Sequence, residues 1–247
     1  MSEGRVLIFA GAGISAESGI STFRDAGGLW EKFNVNEFSN YSHFRSNVFI
    51  EREKNKFFDF YNERKKNVLA AQPNKAHLAI ADLQKEFGDR VNVVTSNVDD
   101  LFEKAGCRDV LHVHGDFQHM HCAMCGEEWN VGDAEFDAYQ KCPKCDSSAT
   151  KPMVVLFGET APAYQQMNDI FDKNFVTDKD VILFIGSSMQ VIPPNRFFTM
   201  SCPALTILVN KDKNQFFDQM FKHRIYGKAT EKIDTAVELI RQHLGVT

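Results

Sequence analysis

The stretch RVLIFAGAGISA, residues 5–16, runs from an unbroken apolar segment straight into a pair of glycines. A short apolar run that stops at glycine predicts a strand. Because it does not alternate with polar residues, the strand is expected to be covered on both faces. Gly11, Gly13 and Ala16 then follow in the order G-x-G-x-x-A, where the strand turns toward a helix. Glycine there permits a tight turn and lets the backbone approach a pyrophosphate, while the N–H groups of a helix start supply partial positive charge. A glycine turn needed only for packing has the same pattern, so both uses stay open at this point.

Working outward, apolar runs recur at 91–95, 110–114, 153–157, 181–185 and 205–209. Between them Ala76, Ile80, Leu83 and Phe87 form one stripe at helical spacing, after a start at Pro73 and Asn74. Ile233, Val237, Ile240 and Leu244 form another. Strands alternating with helices predict an α/β fold, a Rossmann-like parallel sheet with helices on both faces. Residues 37–71 look helical without a neighbouring strand, and 118–151 carry cysteines and no long apolar run. These two insertions are expected to form a small helical, zinc-binding domain. Segments 1–36, 72–117 and 152–247 then make the dinucleotide-binding domain. A plain dehydrogenase places an acidic ribose ligand after a second strand, ~20 residues beyond the glycines. Glu31 and Glu37 have roughly that spacing but no strand before them.

Four of the six cysteines form two pairs, Cys122-x-x-Cys125 and Cys142-x-x-Cys145, with sixteen residues between them. This spacing suits one tetrahedral zinc ion held by four thiolates, which leaves no position for water or substrate. The site is therefore expected to be structural. Cys107 and Cys202 stand alone and read as small apolar fillers. The 247 residues are 43% hydrophobic and 25% charged, with a net charge of -5. That balance argues for a globular chain and against nucleic acid as the main partner. No apolar run reaches the ~20 residues of a membrane helix, and the first residues lack a secretory pattern. A cytoplasmic protein with no membrane partner is expected.

Longer segments carry a resemblance. GAGISAESGISTFRDAGGLW (11–30), TSNVDDL (95–101), HVHGDF (112–117), VVLFGE (154–159) and FIGSSMQVIP (184–193) resemble, in order, the motifs of the sirtuins, and Leu208-Val209-Asn210 falls at the family's adenosine-side asparagine. The resemblance implies an NAD-dependent protein-lysine deacylase that releases nicotinamide and O-acyl-ADP-ribose. NAD would lie over Gly11, Ala12, Gly13, Ser15 and Ala16, with Gly186, Ser187, Ser188, Asn210 and Ala229 on the adenosine side. Phe23 and Arg24 would close over the nicotinamide ribose, and Asn97 and Asp99 would hold nicotinamide and ribose. His114 would be the general base, a task suited to imidazole near neutral pH. Val154, Val155, Phe157 and Gly158 would line the groove for the acyl-lysine protein substrate, whose backbone adds as a strand.

Alternatives accompany these roles. His112, two residues before His114, is the rival base, and Asn97 and Asp99 could cap a helix beginning at Leu101. Ser96 stands where most sirtuins have glutamine, and Ser187 replaces a threonine. Tyr61 and Arg64 share a helix face and resemble the Tyr-x-x-Arg feature of class III sirtuins, which remove succinyl, malonyl and glutaryl groups. Ala26 agrees with that class. The competing reading is a solvated helix side, with Glu63, Lys65 and Lys66 as neighbours. Other functions on the same site are an NAD glycohydrolase, an ADP-ribosyltransferase, or a non-catalytic NAD- and zinc-binding module.

Overall fold

The structure, a computed structural model, describes residues 3–21, 38–172, 174 and 176–246. Its strands are β1 (Val6–Ala10), β2 (Val91–Thr95), β3 (Leu111–His112), β4 (Gly115–Cys122), β5 (Glu128–Asn130), β6 (Thr150–Val154), β7 (Val181–Ile185), β8 (Leu205–Asn210) and β9 (His223–Tyr226). The α-helices are α1 (Tyr41–Asn47), α2 (Glu51–Ala70), α3 (Lys75–Phe87), α4 (Leu101–Ala105), α5 (Tyr164–Ile170) and α6 (Ala229–His243). Among the described residues the strands make a six-stranded sheet in the order β3-β2-β1-β7-β8-β9 and a three-stranded sheet in the order β5-β4-β6. The larger sheet is parallel throughout, with Val6 opposite both Val91 and Val181. None of the described helices is long and apolar enough to cross a membrane.

β1 is buried along its whole length because each of its faces meets a separate core. Val6, Ile8 and Ala10 pack with Ile80 and Leu83 of α3 and with Ile233, Val237 and Ile240 of α6. Leu7 and Phe9 point the other way, onto Met167, Phe171, Phe197 and Phe198. Strand order runs outward in opposite directions from β1 and β7. Their carboxyl ends therefore frame the crevice where open α/β sheets hold ligands.

α2 lies against the smaller sheet through Phe57, Phe58, Phe60 and Tyr61, which pack with Phe117, Met120 and Phe136. Its polar residues hold the same neighbours. Lys65 Nζ donates to the carbonyls of Gly132 and Ala134, 2.6 Å each, and lies 4.2 Å from the Phe136 ring centroid. Asn62 exchanges two hydrogen bonds with the Phe136 backbone. The charged run on α2 is thus only partly a solvated face. Lys65 is buried, whereas exposed Lys66 pairs with Glu135.

Three features depart from the sequence reading. The 153–157 run does not join the parallel sheet. β6 pairs antiparallel with β4, and beyond it Val155 N–H donates to His114 O and Phe157 N–H to Ser39 O. Those carbonyls hold 155–157 extended outside either sheet. Second, the glycine turn leads into short 3-10 turns at Ala12–Ile14 and Ala16–Ser18. The Gly11 and Gly13 amides are already bonded to the carbonyls of Ile185 and Gly186. Third, β9 was absent from the apolar runs because it is a half-exposed edge strand of sequence HRIY.

Candidate active site

A cavity of about 830 Å³ opens at the carboxyl ends of β1 and β7, between the parallel sheet and the α2 layer. Its floor is the glycine turn, and close packing explains the glycines. A Cβ on Gly13 would stand 2.7 Å from the Gly186 carbonyl oxygen, and one on Gly11 would stand 2.7 Å from Ser187 Cα. Packing alone therefore requires both glycines, and the same turn borders the cavity. The turn sits hard against the β7 end, and Gly11, Ala12, Gly13, Ser15 and Ala16 face the cavity. Gly186, Ser187, Ser188, Asn210 and Ala229 form the opposite wall. Asn210 donates through Nδ2 to Ser187 O at 3.0 Å, tying the β8 end to the β7 end.

Asn97 and Asp99 follow β2, and both are buried in the cavity wall. Asn97 Nδ2 donates to Gly11 O at 3.3 Å and to Ser15 Oγ at 3.1 Å, which fixes the orientation of the amide. Asn97 Oδ1 is then a buried acceptor with no hydrogen-bond partner among the described residues. Buried acceptors are rarely left unpaired, and a hydroxyl or amide N–H of a ligand in the cavity meets this one's need. Asp99 accepts from Leu101 N–H at 3.3 Å, so it caps α4 as well as lining the cavity. Burial raises its carboxyl pKa, against a lowering bond from the Ser15 hydroxyl.

A polar chain supports this wall from behind. Asn74 N–H donates to His77 Nδ1 at 3.3 Å, and this leaves the ring's proton on Nε2, which lies 3.4 Å from Ser15 Oγ. Burial pushes the His77 pKa down to about 4, so the ring is neutral. In sequence His77 is one more residue of the α3 stripe, and no local signal separates it from core.

The two histidines of HVH are in different environments. His112 donates from Nδ1 to Asn97 O at 2.8 Å and from Nε2 to Glu103 at 2.9 Å. Burial opposes its charge, but the bond and charge of Glu103 outweigh burial and raise its pKa. It does not line the cavity. His114 does. Burial lowers its pKa, against the nearby Ser96 backbone, which raises it. Its Nε2 meets the Tyr164 hydroxyl at 2.9 Å and accepts from it when the ring proton sits on Nδ1. Tyr164 went unread in the sequence, because nothing local links it to a histidine fifty residues away.

Tyr61 and Arg64 reach the cavity from α2, and Val154, Val155, Phe157 and Gly158 border it on the β6 side. The Tyr61 hydroxyl donates to Phe38 O at 3.2 Å, so a ligand must exchange that bond to use it as a donor. Arg64 lies 5.8 Å from the ring centroids of both Phe60 and Phe117, and its guanidinium stays charged even when buried. Phe23, Arg24 and Ala26 lie outside the described residues.

The four paired cysteines bring their Sγ atoms within 4.8 Å of one another, away from the cavity. Cys122–Cys145 and Cys125–Cys142 are each 3.6 Å apart. A tetrahedron with Zn–S bonds of ~2.3 Å has edges of about 3.8 Å, so the donor set fits zinc. Each pair is folded as a knuckle. Gly126 N–H returns to Cys122 O and Asp146 N–H to Cys142 O, both from left-handed backbone.

Comparison with known proteins gives the chain a family. Residues 11–193 match the model of the Sir2 family. An NAD-dependent protein deacylase of Campylobacter jejuni is 36% identical over 235 residues, covering 94% of this chain and 95% of the relative. NAD-dependent protein deacylase 2 of Archaeoglobus fulgidus is 36% identical over 242 residues, 96% of this chain and 91% of its own. The crystal structure of a Sir2 homolog–NAD complex superposes with a TM-score of 0.77 at 31% identity, over 98% of this chain and 91% of that one.

Proposed function

Because the chain belongs to the Sir2 family, we propose that it is an NAD-dependent protein-lysine deacylase, with acidic acyl groups preferred over acetyl. One observation carries the reading: buried acceptor Asn97 Oδ1 and the His114 ring, whose Nε2 meets the Tyr164 hydroxyl, line one cavity at the sheet's ligand crevice. NAD supplies an anomeric carbon that becomes electrophilic as nicotinamide leaves, where the acyl-lysine oxygen attacks.

The chain's own residues then have distinct tasks. Asn97 Oδ1 accepts a hydrogen bond from the dinucleotide, and Asp99 takes its carboxamide N–H. His114 removes a proton from a ribose hydroxyl. Its neutral form is favoured by burial, so the lone pair is available at neutral pH. His112, donating from both nitrogens, has no lone pair to offer. The segment 154–158 presents backbone to the peptide. The four cysteines would hold a structural zinc ion, which would keep the small sheet in place beneath α2.

The acidic-acyl preference rests on Arg64, a half-buried cation in the cavity wall. A carboxylate on the acyl chain meets a planar fork there, and a charge-assisted bond is worth ~1.5–3 kcal/mol, or tenfold and more in preference. The test is a mass-spectrometric panel of acetyl, succinyl, malonyl and glutaryl peptides with NAD, using wild type, His114→Ala and Arg64→Met. His114→Ala is expected to bind NAD without turnover. Arg64→Met is expected to lower the succinyl-to-acetyl ratio of kcat/KM at least about tenfold. An unchanged ratio removes the acyl assignment. Nicotinamide release at equal rates with and without peptide would make the enzyme a glycohydrolase.

A further inference from the structure

The hydroxyl facing the base belongs to a residue that no motif of the site contains. Tyr164 opens α5, whose Met167 is buried in the second core together with the adjoining Phe171. Arg196 lies 4.7 Å from the Tyr164 ring centroid and is itself held by Asn168 at 3.1 Å. The phenol is therefore carried by a helix anchored in the core and fixed on its outer face. The ring reaches the cavity 5.9 Å from the His114 ring, at 44° to it.

We propose that Tyr164 is a positioning residue for His114. In the resting site its hydroxyl lies 2.9 Å from Nε2 and donates to it when the ring proton is on Nδ1, so the phenol holds the imidazole at the nitrogen that faces the cavity. The bond aims the Nε2 lone pair into the cavity and marks the place that the substrate hydroxyl takes. On binding, that hydroxyl shares the lone pair with the phenol, which stays against the ring and keeps its orientation while the proton moves. The base thus enters the reaction already oriented, in the tautomer that accepts a proton. Ser96 makes such support pertinent. Its short hydroxyl is spent on Ala10 O at 3.4 Å, so its side chain gives the ring no hydrogen bond.

The inference rests on His114 as base, and the experiment separates the two. Tyr164→Phe keeps the ring and its packing and removes only the donor. It is expected to lower kcat about fivefold, the worth of one neutral hydrogen bond, with KM for NAD and for acyl-peptide within about twofold. In protein carrying ring-15N histidine, His114 is identified among eight histidines by its loss in His114→Ala. Its Nε2 resonance should move downfield in Tyr164→Phe, because water is a weaker donor than a phenol. Site-specific 3-fluorotyrosine at 164, which retains a donor, should restore both kcat and the resonance. An unchanged Nε2 resonance, an unchanged kcat, or a rise in KM at constant kcat would overturn the positioning role. If His114→Ala remains inactive in that event, the base assignment stands without it. Full activity in His114→Ala removes the base assignment itself.

Discussion

Lys151→Met tests how the segment bordering the cavity is held. Lys151 is almost wholly buried, and its Nζ lies 3.1 Å from Glu159 Oε2 while donating to Val154 O at 2.7 Å. Glu159 Oε2 also accepts from Leu156 N–H at 2.9 Å. The pair staples both ends of residues 151–159, the stretch given to the substrate peptide. Burial pulls the Lys151 pKa down, against the attraction of Glu159. Methionine fills the stem's volume and leaves the carboxylate, 11% exposed, without its counter-ion. Removing one partner of a buried pair costs ~3–5 kcal/mol. That is a large share of the ~5–15 kcal/mol that holds a typical domain. The double variant Lys151→Met/Glu159→Leu removes both charges and takes a partner from the Leu156 amide and from the Val154 carbonyl. It should lie about 1–3 kcal/mol below wild type and above the single variant. Urea unfolding followed by circular dichroism gives these values if the slopes agree, and KM for the peptide should rise in the single variant. A single variant that loses under about 1 kcal/mol, or a double variant no more stable than it, would refute the reasoning.

Stripping the metal should loosen the small sheet, since zinc binding supplies ~10–16 kcal/mol to folding in comparable sites. Emission of Trp129, on β5, should shift to the red and four thiols should become titratable; unchanged emission in metal-free protein would contradict a structural site. His77 gives a pH dependence. Its folded pKa lies near 4 against 6.5 for the free side chain, so between those values the unfolded chain binds the extra proton. Stability is full above pH 6.5 and falls by up to about 3 kcal/mol as pH drops toward 4. Urea midpoints at pH 7 and pH 5 for wild type and His77→Gln read this, and an equal pH slope in both proteins would refute it.

The elements legible in the sequence are those whose cause is local. An apolar run between glycines becomes a strand wherever it packs, and so β1, β2, β7 and β8 stand where their runs lie. The Cys-x-x-Cys pairs carry their turn chemistry in a few neighbouring residues, and their sulfurs converge. The run at 153–157 is equally apolar, yet it leaves the parallel sheet because the carbonyls of His114 and Ser39 take its amides. Lys65 looks like any exposed lysine of a charged helix until the Gly132 and Ala134 carbonyls close over it.

Order and spacing of residues alone thus determined an α/β sheet with a glycine turn at its ligand edge, a four-thiolate metal site and a shortlist of polar groups for one pocket. Tertiary structure decided the protonation and orientation of those groups. His112 and His114 are two residues apart on one short stretch. One is locked by Glu103 and the Asn97 carbonyl, and the other faces a cavity and a tyrosine from α5. A hydrogen-bond partner is chosen by proximity in space, and folding brings together groups whose separation along the chain carries no trace of the contact.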